Sequence, residues 1–312
     1  MSSSRRTFLK AAAGISAMAA TAQGFSDVWI EDVNTGERIS PAKTRLHVAV
    51  NSYTTWNLFD RDKQDFWNHL AEIKAAGADG IEPGIGSAGD AENTAKRLAD
   101  AGLEMRSVYT GGNFYADDAT AERELDRLTA MAEKAREYGT RVICSNPDAK
   151  SGKSDEEIRR QSAGYEKLGR NLADLGMKLG IHYHTSEWEY GGREFLHLMA
   201  TTDPALVGFC FDTHWSYRAS GNSAAAVQAH MRMWAPRCVE FHLRQSIGNV
   251  WSETFGDGDI DHPEIVAYFK TIFGDNLPHI VLEQAAEGGT PKTMTAPEVL
   301  KLSAEYVREI FG

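Results

Sequence analysis

Short apolar runs alternate with longer stretches of helical periodicity along most of this chain. Each run predicts a buried strand, and the stretch after it has apolar residues at helical spacing, often ending at a glycine. The eight predicted strands cover residues 46–50, 80–82, 104–108, 141–144, 179–184, 207–212, 238–242 and 279–283. The eight predicted helices cover residues 65–76, 90–101, 120–138, 154–175, 193–200, 223–234, 263–273 and 297–310.

This alternation predicts an α/β protein with a parallel sheet. Eight strand–helix units within 312 residues favour one closed (β/α)8 TIM barrel over an open doubly wound sheet. No glycine-rich dinucleotide fingerprint opens the first helix, which also argues against the open sheet. We therefore assign residues 45–312 to a single barrel domain and residues 23–44 to an irregular lead-in.

The first 22 residues are expected to be a targeting signal and not part of the fold. Residues 4–10 read Ser-Arg-Arg-Thr-Phe-Leu-Lys, which resembles a twin-arginine export signal, and a short Ala-rich run follows. The sequence Ala-Thr-Ala at 20–22 has the form of a cleavage site. The alternative is a basic amphipathic tail. The resemblance implies recognition by the twin-arginine export machinery and a periplasmic or secreted protein. The run is too short for a stable membrane anchor.

Composition narrows the range of partners. The formal net charge is −11, from 33 basic and 44 acidic residues. Nucleic acids and anionic membranes attract basic surfaces, so neither is expected as the main partner. The three cysteines fall in predicted buried strands and their number is odd, so no disulfide framework is expected.

Acidic and imidazole side chains gather at the carboxyl ends of the predicted strands. In a (β/α)8 barrel these ends meet on one face, where functional residues lie. Strand five ends in His182, His184 and Glu187. Other strand ends supply Glu82, Tyr109, Asp212, His214, His242, Arg244 and Glu283. Such oxygen and nitrogen donors, without a thiolate, suit Mn²⁺, Co²⁺, Mg²⁺ or Zn²⁺. The alternative is a set of salt-bridged residues on the barrel rim.

Four segments carry a resemblance to a known family. They read Phe-Asp-Thr-His-Trp at 211–215, Phe-His-Leu-Arg at 241–244, Phe-Gly-Asp-Gly-Asp-Ile-Asp at 255–261 and Ile-Val-Leu-Glu at 280–283. In order and spacing they resemble the sugar phosphate isomerase/epimerase family of xylose-isomerase-like barrels, and the resemblance extends over residues 46–312. It implies one divalent metal ion, held by a strand-five residue together with Asp212, His242 and Glu283.

The strand-five ligand is left open by this resemblance. Many relatives have a glutamate where this chain has His182, whereas one branch reads H-N-H-x-x-E-F, which residues 182–188 resemble. On that basis we expect Glu187 to bind the metal, with His182 as the alternative ligand. His184 is then expected to lie beside the substrate.

The resemblance also implies a reaction. A metal that chelates a carbonyl and a neighbouring hydroxyl stabilises the enediolate formed when the α-proton leaves. Glu187 and Glu283 are the predicted acid–base pair. The predicted substrate-binding residues are Glu82, His184, His214, Arg244 and Trp215, the last stacking on a sugar face or packing in the barrel rim.

We therefore predict a metal-dependent isomerase or epimerase acting on a sugar or keto-sugar. Export favours a carbohydrate without phosphate, because sugar phosphates are mainly cytoplasmic. A lyase or dehydratase acting on a keto-sugar or 3-keto-glycoside is the close alternative. An exported sugar-binding protein and a metal-dependent endonuclease are weaker alternatives, and the acidic charge opposes the second. The sequence is compatible with a homo-oligomer and does not determine the oligomeric state.

Overall fold

The computed structural model describes residues 46–59 and 66–312, together with the backbone of two short strands, Ile30–Glu31 and Arg38–Ile39. These two strands pair antiparallel. The predicted export signal, residues 1–22, lies outside the described residues, and so does the predicted lead-in, 23–44, apart from this strand pair. Residues 46–312 form one compact unit.

Eight parallel strands form the barrel wall. They are β1 Val48–Asn51, β2 Gly80–Glu82, β3 Ser107–Gly112, β4 Val142–Pro147, β5 Lys178–Ile181, β6 Val207–Asp212, β7 Cys238–Leu243 and β8 His279–Leu282. Ladders join them in the order β2-β1-β8-β7-β6-β5-β4-β3. Isolated parallel bridges, Gly80 to Glu104 and Gly84 to Tyr109, connect β2 with β3 and bring the sheet close to closure. The predicted barrel is confirmed.

Helices surround the strands. They are α1 Ser52–Phe59, α2 Leu70–Ala75, α3 Ala88–Asp100, α4 Asp118–Glu137, α5 Asp155–Asp174, α6 Glu189–Thr201, α7 Thr213–Arg218, α8 Ala224–Trp234, α9 His262–Phe273 and α10 Ala296–Phe311. Short 3₁₀ segments occupy Phe66–His69, Ser186–Trp188 and Ala235–Arg237. Ser154 and Glu157 form the predicted capping box at the start of α5. Among the described residues no helix is long and apolar enough to cross a membrane.

Three features near the strand ends differ from the prediction. Strand β3 starts later and runs on to Gly112, where a Cβ would lie 2.4 Å from the Tyr165 hydroxyl, so glycine allows the close approach. Strand β5 ends at Ile181, which places His184 beyond the ladder. A hairpin of Ser246–Ile247 and Val250–Trp251 follows β7.

Strand alternation sorts the side chains into an outer apolar layer and an inner polar one. Phe211 and Phe241 pack outward against Phe269 of α9, with ring centroids 5.9 and 4.5 Å away. Asp212 and His242 follow these phenylalanines and pair in register across β6 and β7. Because successive residues of a strand point to opposite faces, the phenylalanines fix both polar residues toward the barrel axis.

Candidate metal centre

Four potential metal ligands converge at the carboxyl ends of β5 to β8. One ligand atom from each lies within 4.8 Å of the others, and all four side chains are buried. Asp212 ends β6, His242 lies in β7, and His182 and Glu283 directly follow β5 and β8. We call these four residues the tetrad.

Hydrogen bonds to neighbouring groups orient the tetrad. His182 Nε2 lies 3.2 Å from Asp212 Oδ2, while its Nδ1 lies 3.2 Å from the Tyr109 hydroxyl. The other Asp212 oxygen accepts the backbone N–H of Trp215 at 2.7 Å and caps α7. Glu283 Oε2 lies 3.5 Å from His242 Nδ1. Each side chain is thus held with one potential metal-ligating atom near those of the other three.

The charges within the tetrad favour a cation. Burial, and then the negative charge of Glu283, raise the pKa of Asp212 to about 7. Burial alone would raise the pKa of Glu283, but the positive charge of Arg244, followed by the contact with His242, outweighs it and holds this pKa well below its usual range. Burial, and then the neighbouring His242, lower the pKa of His182 to about 3, so its imidazole is neutral. A neutral imidazole has a lone pair for a metal.

Two buried atoms of the tetrad, His242 Nδ1 and Glu283 Oε2, have no hydrogen-bond partner. Buried polar atoms are normally paired, so these two are consistent with a missing ligand between them. Two imidazoles and two carboxylates form a donor set that suits Mn²⁺, Co²⁺ or Zn²⁺ better than Mg²⁺, which prefers oxygen alone. The residues present therefore fit a divalent metal ion.

Glu187, the predicted strand-five ligand, lies outside the tetrad. Its Oε2 accepts the backbone N–H of His184 at 2.5 Å, and its Oε1 accepts the Ser186 hydroxyl at 2.7 Å. The side chain is buried within the turn that follows β5. In this structure the H-x-H-x-x-E spacing holds a loop in place, and the alternative ligand, His182, is the one that joins the tetrad.

Glu82, predicted to bind the substrate, is fully buried behind His242. Its Oε1 lies 3.0 Å from His242 Nε2, on the opposite side of the ring from Glu283. Its carboxylate contacts Asn51, Ser107 and His242, and its role in substrate binding stays a prediction.

The other predicted substrate-binding residues differ in exposure and in their contacts. The His184 side chain is 37 % exposed, and its ring centroid lies 4.7 Å from that of His182 and 5.4 Å from that of Trp215. His214 is fully buried, and neither ring nitrogen has a hydrogen-bond partner. The Arg244 Nη2 lies 3.3 Å from Glu283 Oε2.

Two residues of the site have roles that the sequence did not indicate. Tyr109 was predicted only as a strand end, yet its hydroxyl contacts His182. Trp251 lies 4.1 Å beneath the Arg244 guanidinium. It belongs to the hairpin after β7, whose turn residues Gly248 and Asn249 both have positive φ. A Gly-Asn pair between two apolar residues is a hairpin signal that could have predicted it.

A second cluster lies deeper in the barrel. Cys144, Cys210 and Glu240 bring ligand atoms within 4.8 Å of one another and of His242. Burial raises the pKa of both thiols well above the usual range, so neither is a thiolate. A thiol binds metal only after it loses its proton, and this cluster is therefore the weaker candidate.

Comparisons with known proteins identify the family of this chain. Residues 70–309 match the family described as xylose isomerase-like TIM barrel. The inosose dehydratase of Clostridium beijerinckii is 25 % identical over 308 residues, which cover 88 % of this chain and 99 % of the relative.

Solved structures show the same fold. A sugar phosphate isomerase/epimerase from Parabacteroides distasonis superposes with a TM-score of 0.65 at 18 % identity, covering 86 % of this chain and 96 % of that one. An L-ribulose 3-epimerase superposes with a TM-score of 0.61 at 17 % identity, covering 85 % and 94 %. The family match extends over most of the barrel domain, and this chain therefore belongs to the xylose isomerase-like TIM barrel family.

Proposed function

We propose that this protein is a divalent-metal-dependent lyase that removes water from a keto-sugar or keto-polyol. The observation that carries the proposal is the composition of the tetrad, in which the β5 position is His182 and Glu283 is the carboxylate at β8. The related inosose dehydratase supports the same reaction class. The sequence alone had favoured isomerisation or epimerisation, through Glu187 and Glu283.

A divalent cation held by the tetrad would polarise the substrate ketone and stabilise the negative charge that develops as the α-proton leaves. Glu283 is the proposed base that takes this proton, because its carboxylate belongs to the tetrad and the neighbouring Arg244 keeps it ionised. His184 contacts His182 of the tetrad and His214 contacts Trp215, and both are proposed to bind substrate hydroxyl groups.

The number of acid–base groups favours dehydration over epimerisation. An epimerase takes a proton from one face of a carbon and returns one to the other, so it needs groups on both sides. Here His182 belongs to the tetrad and Glu187 is hydrogen-bonded within its loop, so neither supplies the second acid–base group. A syn elimination needs a single group: Glu283 accepts the α-proton and passes it to the hydroxyl that leaves the β-carbon. One C–H and one C–O bond break, a C=C bond forms, and water departs.

The substrate is proposed to carry no phosphate. Arg244 pairs with Glu283, and Arg218 pairs with Glu287 through two hydrogen bonds of 2.9 and 2.7 Å. These two guanidinium charges are thus already compensated. Export by the twin-arginine route, proposed from residues 4–10, supports the same inference, and fractionation of cells would test it.

Epimerisation is the second candidate, and His184 is the observation that favours it. Burial, and then the neighbouring His182, lower the pKa of His184 to about 4, so it is a neutral base in ring contact with His182 of the tetrad. In an epimerase, His184 would return a proton to the face of the substrate carbon opposite Glu283.

One incubation separates the two candidates. Protein freed of metal and reloaded with Mn²⁺ is mixed in D₂O with an inosose and with a 3-keto-glycoside, and products are followed by NMR. Dehydration gives an unsaturated ketone or its diketone tautomer. A product of unchanged mass apart from deuterium at the α-carbon would instead support the epimerase. No metal-dependent change in any keto-sugar tried, by protein that binds metal, would contradict both.

A further inference from the structure

His242 has different surroundings at its two ring nitrogens. Its Nδ1 faces the tetrad, 3.5 Å from Glu283 Oε2, and has no hydrogen-bond partner. Its Nε2 points away from the tetrad and lies 3.0 Å from Glu82 Oε1. Both His242 and Glu82 are fully buried, so water does not compete for this contact.

The Glu82 carboxylate is itself held from two sides. Oε1 accepts a hydrogen bond of 2.7 Å from the Asn51 side-chain amide, at the end of β1. Oε2 accepts one of 2.9 Å from the Ser107 hydroxyl, at the start of β3. The two strands next to β2 thereby fix the carboxylate, and one oxygen remains aimed at the imidazole.

A histidine binds a metal through one nitrogen only when the proton sits on the other. A carboxylate that accepts from Nε2–H fixes this tautomer and leaves the Nδ1 lone pair free for the metal. We propose that Glu82 is a positioning residue that prepares His242 for metal binding by holding the proton on Nε2. The inference rests on the metal site of the proposed function.

Glu240 is a weaker candidate for the same role. Its Oε1 lies 3.5 Å from His242 Nε2, and neither of its carboxylate oxygens has a hydrogen-bond partner. Without such partners its orientation is less restricted than that of Glu82. Glu240 Oε1 is also the weaker acceptor, because it lies 3.5 Å from His242 Nε2 whereas Glu82 Oε1 lies 3.0 Å away.

The test is calorimetric titration of the metal-free full-length protein with Mn²⁺. Glu82→Gln keeps the size of the side chain, but its amide can offer either an oxygen or an amino group to Nε2 and no longer specifies the tautomer. We expect the Kd for Mn²⁺ to rise about 10- to 100-fold, the usual effect of losing such a partner. The control is Glu194→Gln, which removes a buried carboxylate bonded to Lys153 and should leave the Kd unchanged.

Thermal melting separates positioning from a structural role. Both variants are expected to melt at lower temperature than the parent, whereas only Glu82→Gln should lose affinity while folded. Equal Kd values for folded Glu82→Gln and the parent would overturn the inference. If Glu82→Gln does not fold, Ser107→Ala takes its place in the titration. This variant frees one oxygen of Glu82, and its Kd for Mn²⁺ should also rise. A parent that binds no metal would refute the metal site itself, together with this inference.

Discussion

Replacing His182 by phenylalanine tests which strand-five residue holds the metal. Phenylalanine keeps a planar ring in contact with Tyr109 and His242 but offers no nitrogen. The tetrad has four donor side chains, and the loss of a partner behind a ligand costs about 10- to 100-fold in metal affinity. Loss of a ligand itself should cost at least the upper end of that range, about 100-fold or 2.7 kcal/mol.

Glu187→Gln is the matched comparison, because Glu187 was the other predicted ligand. Its two oxygens accept hydrogen bonds from the backbone of His184 and from Ser186, and an amide retains only one acceptor oxygen. We expect the free energy of unfolding to fall by about 1.5–3 kcal/mol, the worth of a hydrogen bond to a charged group. The Kd for the metal should stay within a few-fold of the parent.

The assay is calorimetric titration with Mn²⁺, accompanied by urea unfolding of each protein. The reasoning predicts a large loss of affinity for His182→Phe and a loss of stability with intact affinity for Glu187→Gln. The reverse pattern, tight binding by folded His182→Phe and none by Glu187→Gln, would refute it.

Three further predictions concern turnover, pH and thiols. Glu283→Gln should lower kcat by about 10²- to 10⁴-fold with an unchanged circular dichroism spectrum, because an amide cannot accept the α-proton; near-parental turnover would exclude Glu283 as the base. Burial lowers the pKa of His262 to about 3, so its contribution to stability is complete above pH 6.5 and is lost as the pH falls. This loss is about 1.4 kcal/mol of unfolding free energy per pH unit. His262→Gln should therefore reduce the dependence of the unfolding free energy on pH, measured with urea between pH 7 and 5. An unchanged pH dependence would contradict this prediction. A thiol reagent should label three cysteines per chain only after unfolding, and rapid labelling of the folded protein would contradict the burial of Cys144, Cys210 and Cys238.

The barrel could be predicted from the sequence because its signals are local. Apolar runs, helical spacing and capping residues act over a few residues, and the Ser154 capping box, for example, lies where it was predicted. The start of β3 was misplaced, because Glu104 and Met105 read as strand but Glu104 forms only an isolated bridge. The bridge of Glu104 depends on its partner Gly80 in β2 and not on the apolar residues around Glu104.

The site was only partly predictable, for a related reason. Asp212, His242 and Glu283 lie in or next to strands, where alternation fixes their direction. Glu187 lies in a turn beyond β5, and sequence spacing does not determine where a turn directs its side chains. The burial of Glu82 depends on β1, β3 and β7 at once, through Asn51, Ser107 and His242. Contacts of that kind emerge only when the barrel is assembled.

The central claim is that the tetrad is the metal centre of this protein. Crystals grown with Zn²⁺, with diffraction recorded at the zinc absorption edge, would locate the ion directly in an anomalous difference map. We expect a peak with one atom each from His182, Asp212, His242 and Glu283 at bonding distance, about 2.0–2.2 Å. A peak bound instead by Glu187, or one among Cys144, Cys210 and Glu240 with the tetrad empty, would contradict it.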